Sequence, residues 1–242
     1  MSNIILEKED GVWLLTINRE HKMNSLDFDS HYELVEIWKD FSEDPTAKVG
    51  VITGAGEKAF CAGADLKTYT MDFATRKPNE FRDKFVNGYA VSGGLEIALA
   101  CDLRFCSENA KFGLQDVKWG FHACDGALVR LPHIVGMGAT MELVLSGELI
   151  NAEHAHKINL VNKIYPNNSL LEKTLEYAHL LSKRAPLAIK FAKQTLRNIV
   201  SMPLEDALRH EVRSFYDLGQ SEDLAEGTRA FRERRDADFK GR

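Results

Sequence analysis

Every strand-like segment of this 242-residue chain lies before Pro166, and the stretch after Ser169 repeats with helical spacing, so the fold must be a mixed α/β core followed by helices. Ile4-Ile5-Leu6 and Val12 to Ile17, parted by Glu9-Asp10-Gly11, predict a hairpin. Leu34, Val35, Trp38 and Phe41 then fall on one helical face that ends at Asp44-Pro45. Val49 to Ile52, Leu103 to Cys106 and Leu160 to Ile164 read as short strands, and Leu95 to Ala100 and Ala139 to Leu145 as helices between them. The alternation divides the chain into an α/β part, residues 1–168, and a helical part, residues 169–242, where Leu171, Leu175, Ala178 and Leu181 share a face. Pro186 and Pro203 stand where helices begin.

Two small-residue loops carry the chemistry. The first is Phe60-Cys61-Ala62-Gly63-Ala64-Asp65-Leu66; the second runs Asn87-Gly88-Tyr89-Ala90-Val91-Ser92-Gly93-Gly94-Leu95-Glu96. A backbone amide approaches a ligand closely only where side chains are absent or small, so Ala64 and Gly93 are candidate donors to an oxyanion. Glu96 sets a carboxyl just behind the second loop. The combination suits a reaction in which a carbonyl oxygen gains charge while a proton moves on a neighbouring carbon.

Composition removes several alternatives. A formal net charge of −5 argues against a nucleic-acid partner, which needs a basic face. No run of about 18 apolar residues marks a membrane span, and the acidic start of the chain lacks a targeting pattern, which predicts a cytoplasmic protein. Cys61, Cys101, Cys106 and Cys124 form no CxxC pair and read as reduced thiols. His154 and His156 lie two apart on a predicted helix and point away from each other, so no metal site is expected. Thr53 to Lys58 lacks the spacing of a phosphate loop, and there is no GxSxG nucleophile elbow.

The ordered set of short motifs resembles the enoyl-CoA hydratase/isomerase (crotonase) superfamily over nearly the whole chain. It runs from Ile17-Asn18-Arg19 and Met23-Asn24-Ser25-Leu26 through the two loops, Ala100-Cys101-Asp102-Leu103-Arg104 and Arg130-Leu131-Pro132, to Ala230-Phe231. The resemblance implies a spiral of ββα units with a helical C-terminal region that mediates trimers, themselves often paired into hexamers. It implies that the Ala64 and Gly93 amides polarise the thioester carbonyl of an acyl-CoA, and that Glu96 and Asp116 flank the double bond, one activating water and the other delivering a proton to the α-carbon. CoA would lie along Lys22, Met23, Ala62, Asp65 and Leu66, with Phe239 and Lys240 at positions that often reach the CoA of a neighbouring subunit. No metal or redox cofactor is implied; the CoA thioester is the substrate.

Four departures from the family pattern bear on activity. The second acid is Asp116, one methylene shorter than the usual Glu, and misplacement near 1 Å can cost about a hundredfold in rate. The usually glycine-rich loop before Arg130 reads His122-Ala123-Cys124-Asp125-Gly126-Ala127, and a branch of dienoyl-CoA isomerases places an acid there, so Asp125 is a further catalytic candidate. Ser92 replaces a common glycine, and the segment between Lys67 and Val86 is shorter than usual. Three readings follow: an enoyl-CoA hydratase, an enoyl- or dienoyl-CoA isomerase, or a relative that keeps the fold for CoA binding or assembly without catalysis.

Overall fold

The computed structural model describes residues 2–65 and 91–242. Strand β1 (Ile4–Glu9) pairs antiparallel with β2 (Val12–Ile17), from Ile4 opposite Ile17 to Glu9 opposite Val12. The predicted turn closes the hairpin: Asp10 and Gly11 both have positive φ, 46° and 79°, the backbone whose twist matches that of the flanking strands. Helix α1 (Phe28–Glu43) starts where Asp27 accepts the Ser30 N–H at 3.0 Å and leads to β3 (Val49–Gly54), which joins β2 in parallel.

Beyond the undescribed stretch come α2 (Gly93–Ala100), β4 (Phe105–Ser107) and β5 (Lys111–Phe112), then a 3-10 turn at Gln115–Trp119. Helix α3 (Ala127–Ser146), β6 (Ile150–Asn151), α4 (Ala152–Lys157) and β7 (Lys163–Tyr165) complete the mixed part. Four helices follow: α5 (Leu170–Ser182), α6 (Pro186–Asn198), α7 (Leu204–Leu218) and α8 (Glu222–Glu233). Pro186 is the first residue of α6, where its missing N–H costs nothing, and Pro203 directly precedes α7.

Alternation along β2 decides how the first sheet is covered. Trp13, Leu15 and Ile17 are buried on one face with Leu34 of α1, Leu26, Cys61 and Ile97. On the other face Val12 and Val51 are covered by Ala178 of α5, so the first C-terminal helix lies directly on the sheet. A second core gathers Leu95, Leu99, Phe112, Leu114, Ala127, Leu131, Leu143, Leu160 and Val161. Helix α2 therefore stands between the two cores, giving Ile97 to the first and Leu95 and Leu99 to the second. Each fully buried aliphatic side chain contributes roughly 1.5–3 kcal/mol, which makes this short helix one of the most firmly held elements.

Some expectations need correction. The strand expected over Leu103 to Cys106 begins at Phe105, because Arg104 turns its guanidinium onto the Ala98 and Cys101 carbonyls at the end of α2 and onto the Leu160 carbonyl. The last strand is Lys163–Tyr165, while Leu160 and Val161, expected within it, plug the second core from an irregular segment. The two-residue pairing of β5 with β6 was not foreseen. Helix α3 is long and apolar enough to cross a bilayer by length and composition, contrary to the sequence reading. Gly136, at φ 80° and ψ 161°, breaks it in two, and Ala127, Leu131, Thr140 and Leu143 are buried in the protein.

Candidate active site

The first loop is set by a buried polar network. Arg19, 7% exposed, donates to the Ser25 carbonyl and pairs with Asp27 at 2.6 Å and with Asp65 at 3.6 Å. Asn24, fully buried at φ 55°, accepts the Arg19 N–H at 3.0 Å and donates to the Ala55 and Ala59 carbonyls at 2.9 and 2.6 Å. These bonds hold the 19–27 segment, to which the loop is attached. The Ala62 N–H donates to Met23, the Leu26 N–H to Gly63 and the Asp65 N–H to Leu26. A residue flanked by such a parallel bridge turns its own N–H to the opposite side, and that residue is Ala64.

The second loop abuts the first. Val91 donates to the Cys61 carbonyl at 3.4 Å, and a Cβ placed on Gly63, whose φ is 97°, would lie 3.0 Å from the Val91 oxygen and 3.9 Å from the Gly93 nitrogen. Only glycine allows this approach. Gly93 begins α2, so no carbonyl four residues back within the helix takes its N–H. The Arg104 bonds at the far end of α2 fix the direction in which that N-terminus points.

Behind these amides stand three carboxyl groups. Glu96, in the first turn of α2 and 2% exposed, accepts the Asp125 N–H at 2.9 Å and the Ala127 N–H at 2.8 Å on the same oxygen, Oε1. Burial pushes its carboxyl up to about 8 against the pull of the Ala127 amide, and the charges of Asp125 and Asp116 add to the rise. Asp116, on the 3-10 turn and 5% exposed, is raised chiefly by burial, while the Ser92 hydroxyl and His122 draw it back. Its Oδ2 is buried without a hydrogen-bond partner. Asp125 is pushed up to about 6, again by burial first, with Cys124 and Arg130 opposing and Asp116 reinforcing. Arg130 donates to the Asp125 carbonyl at 3.0 Å and so braces the turn that holds Glu96.

The structure thus brings together Ala64, Gly93, Glu96, Asp116 and Asp125. Lys22, at the end of a 3-10 turn, points its ammonium at Asp65 from 3.5 Å. Met23 is left-handed and 43% exposed beside Ala62, so the proposed CoA residues lie along one edge of the first loop. Leu66, the 67–86 segment and Asn87 to Ala90 lie outside the described residues. Phe239 packs on Gly227 of α8 and lines a cavity of about 500 Å3 with Leu218, Leu224 and Phe231, and the Lys240 N–H donates to Asp223 at 2.7 Å. Cys124 is exposed, and its thiol is lifted to about 12, first by partial desolvation and then by the Asp125, Glu96 and Asp116 carboxylates, which disfavours the thiolate a nucleophile needs. Among the described residues no group of three or more His, Cys, Asp or Glu side chains is placed to hold a metal ion.

Sequence reasoning missed Arg19 and Arg130 as supports. Arg130 was visible only as part of Arg130-Leu131-Pro132, and nothing in that motif names the carbonyl it holds.

Residues 7–242 match the sequence pattern of the family described as Enoyl-CoA hydratase/isomerase. The chain is 39% identical to an (E)-benzylidenesuccinyl-CoA hydratase of Thauera aromatica, over 98% of this chain and 99% of the relative. It is 34% identical to a short-chain-enoyl-CoA hydratase of Clostridium acetobutylicum, over 100% and 99%. The crystal structure of an enoyl-CoA hydratase from Bacillus anthracis superposes with a TM-score of 0.91 at 32% identity, each chain fully covered. The first of these alignments runs over 253 positions against 98% of this chain, so that relative carries residues with no counterpart here.

Proposed function

Because the chain belongs to the enoyl-CoA hydratase/isomerase family and has its fold, we propose that it catalyses the reversible addition of water to a 2-enoyl-CoA thioester. The observation that carries this reading is the pair of buried carboxyls beside the two loops. Asp116 has an oxygen buried without a partner, and Glu96 keeps one oxygen outside its two backbone bonds. A buried polar atom left unpaired costs about 1–3 kcal/mol, and a substrate or water that meets it recovers that cost.

In this reading the thioester carbonyl accepts the Ala64 and Gly93 N–H groups. One carboxylate takes a proton from water as the oxygen bonds to the β-carbon, and the electron pair of the double bond moves onto the thioester oxygen as an enolate. The other carboxyl gives its proton to the α-carbon, and the carbonyl re-forms. Near neutral pH the unliganded chain carries that proton on Glu96, whose carboxyl sits at about 8. Lys22, Met23, Ala62 and Asp65 edge the path of the CoA, and the chemistry calls for no metal or redox group.

The test is loss of the conjugated enoyl thioester absorbance on incubation with crotonyl-CoA. Glu96→Gln and Asp116→Asn should each lower the rate about 100- to 10,000-fold. Unchanged hydration in Glu96→Gln sinks the two-acid mechanism. No turnover of crotonyl-CoA or longer enoyl-CoAs by a chain that binds CoA overturns the enzymatic reading in favour of binding alone.

A further inference from the structure

We propose that Ser92 is a positioning residue that holds the Asp116 carboxylate from a strained turn. Val91 to Gly94 form a β-turn closed by the Gly94 N–H on the Val91 carbonyl at 3.0 Å. Ser92 occupies its first central position at φ 51° and ψ −121°, the type II′ conformation that glycine adopts freely and serine does not. A strained side-chain-bearing residue persists where the surrounding structure holds it and clusters at functional sites.

The side chain that accompanies the strain is not used for the helix it precedes. Serine is among the strongest N-cap residues, yet Ser92 makes no cap bond to α2. The amides a cap would serve, Gly94 and Leu95, donate instead to the Val91 and Ser92 carbonyls, at 3.0 and 3.2 Å. The hydroxyl is thereby left free of the helix; the parallel bridge of Val91 with Gly113 sets Ser92 against the segment that leads into Asp116, whose ionised form the hydroxyl favours. The Ser92 N–H donates to the Gly113 carbonyl at 2.9 Å, tying the turn to the segment that leads into Asp116.

Asp116 needs such a partner. It is 5% exposed and its side chain is the shortest that can present a carboxylate, while its Oδ2 is left without a partner for substrate or water to meet. A hydroxyl delivered by the residue that also precedes the Gly93 amide couples the aim of the acid to the oxyanion donor. A glycine at position 92 relaxes the turn and removes that coupling.

The experiment measures the Asp116 carboxyl titration by 13C NMR in the wild-type chain, Ser92→Ala and Ser92→Gly, with hydration of crotonyl-CoA against pH as the second readout. The hydroxyl favours the charged form, so its removal raises the Asp116 midpoint, by on the order of one pH unit. The acidic limb of kcat should move up with it and kcat should fall about tenfold, while KM stays within about twofold. Ser92→Gly should melt no lower than wild type although its kcat falls, which a merely structural serine does not produce. If Ser92→Ala fails to fold, Ser92→Gly carries both readouts. An unchanged Asp116 midpoint in the folded variants overturns the proposal. The kinetic arm rests on the hydratase reading and the titration arm does not: a shifted midpoint in a chain without hydration rejects that reading and leaves this one standing.

Discussion

Asp125 gives its backbone N–H to Oε1 of Glu96 at 2.9 Å, across 29 residues of sequence, and Ala127 gives a second to the same oxygen. One oxygen of the carboxyl is thus fixed by the main chain, which leaves the other, Oε2, as the one able to carry a proton. The turn that replaces the family's glycine-rich loop is therefore a clamp on the acid as well as the carrier of a third carboxyl.

The Glu96 carboxyl makes stability depend on pH in a defined direction. Its folded value of about 8 lies above the ordinary 4.5, so its contribution is fully present below pH 4.5 and is lost as pH rises to 8. Glu96→Gln keeps an acceptor for both amides and cannot ionise. Urea midpoints at pH 5 and pH 8 should fall with pH in wild type and change less in the variant, by up to a few kcal/mol on the order expected for such a shift. Equal slopes in the two chains would refute the buried-acid assignment.

Gly63→Ala tests the contact between the loops. The new methyl would meet the Val91 oxygen at 3.0 Å at a residue with φ 97°, so the two amide-bearing turns must separate. Hydration should drop about 100- to 1,000-fold, as for the loss of one oxyanion donor, and stability by about 1–3 kcal/mol. A crystal structure of the variant with both turns unmoved and full activity would reject the arrangement.

Arg130→Met removes the brace on the Glu96 clamp and the cation that opposes burial at Asp125. The Asp125 carboxyl, now pushed up to about 6, should titrate higher, readable by carboxyl NMR, and hydration should fall about tenfold. An unaltered Asp125 midpoint would show that the guanidinium serves packing alone.

The C-terminal helices predict assembly. Leu204, Leu208, Val212 and Phe215 of α7 are 75, 51, 68 and 66% exposed, an apolar row at helical spacing on a strongly amphipathic helix. We propose that copies of this chain cover it, as trimers. Light scattering should give about three times 27.3 kDa, or twice that for hexamers, and Val212→Glu with Phe215→Glu should lower the mass. A monomeric wild type at micromolar concentration would contradict this.

The sequence made legible what is local. The Asp10-Gly11 hairpin, the apolar face of α1 with its end near Asp44-Pro45 and the starts of α6 and α7 at prolines all follow from neighbouring residues, and the small residues of both loops announce a close backbone approach. What stayed hidden is held together at a distance. β5 and β6 are too short for a period of two to show, and Leu160 and Val161 look like strand residues until the second core claims them. Arg19, the last residue of Ile17-Asn18-Arg19, is buried support for the first loop that no local pattern reveals, because its partners Ser25, Asp27 and Asp65 meet it only after folding.

That network also governs how activity is lost. Arg19 and Asn24 are buried and tied to backbone at residues 19, 25, 55 and 59 and to the Asp65 carboxylate, so the loop bearing Ala64 cannot loosen without exposing them and the adjoining first core. Loop order and the global transition belong to one cooperative unit. On heating, inactivation and unfolding should trace a single curve, with no interval in which a folded chain has lost the first amide of its site.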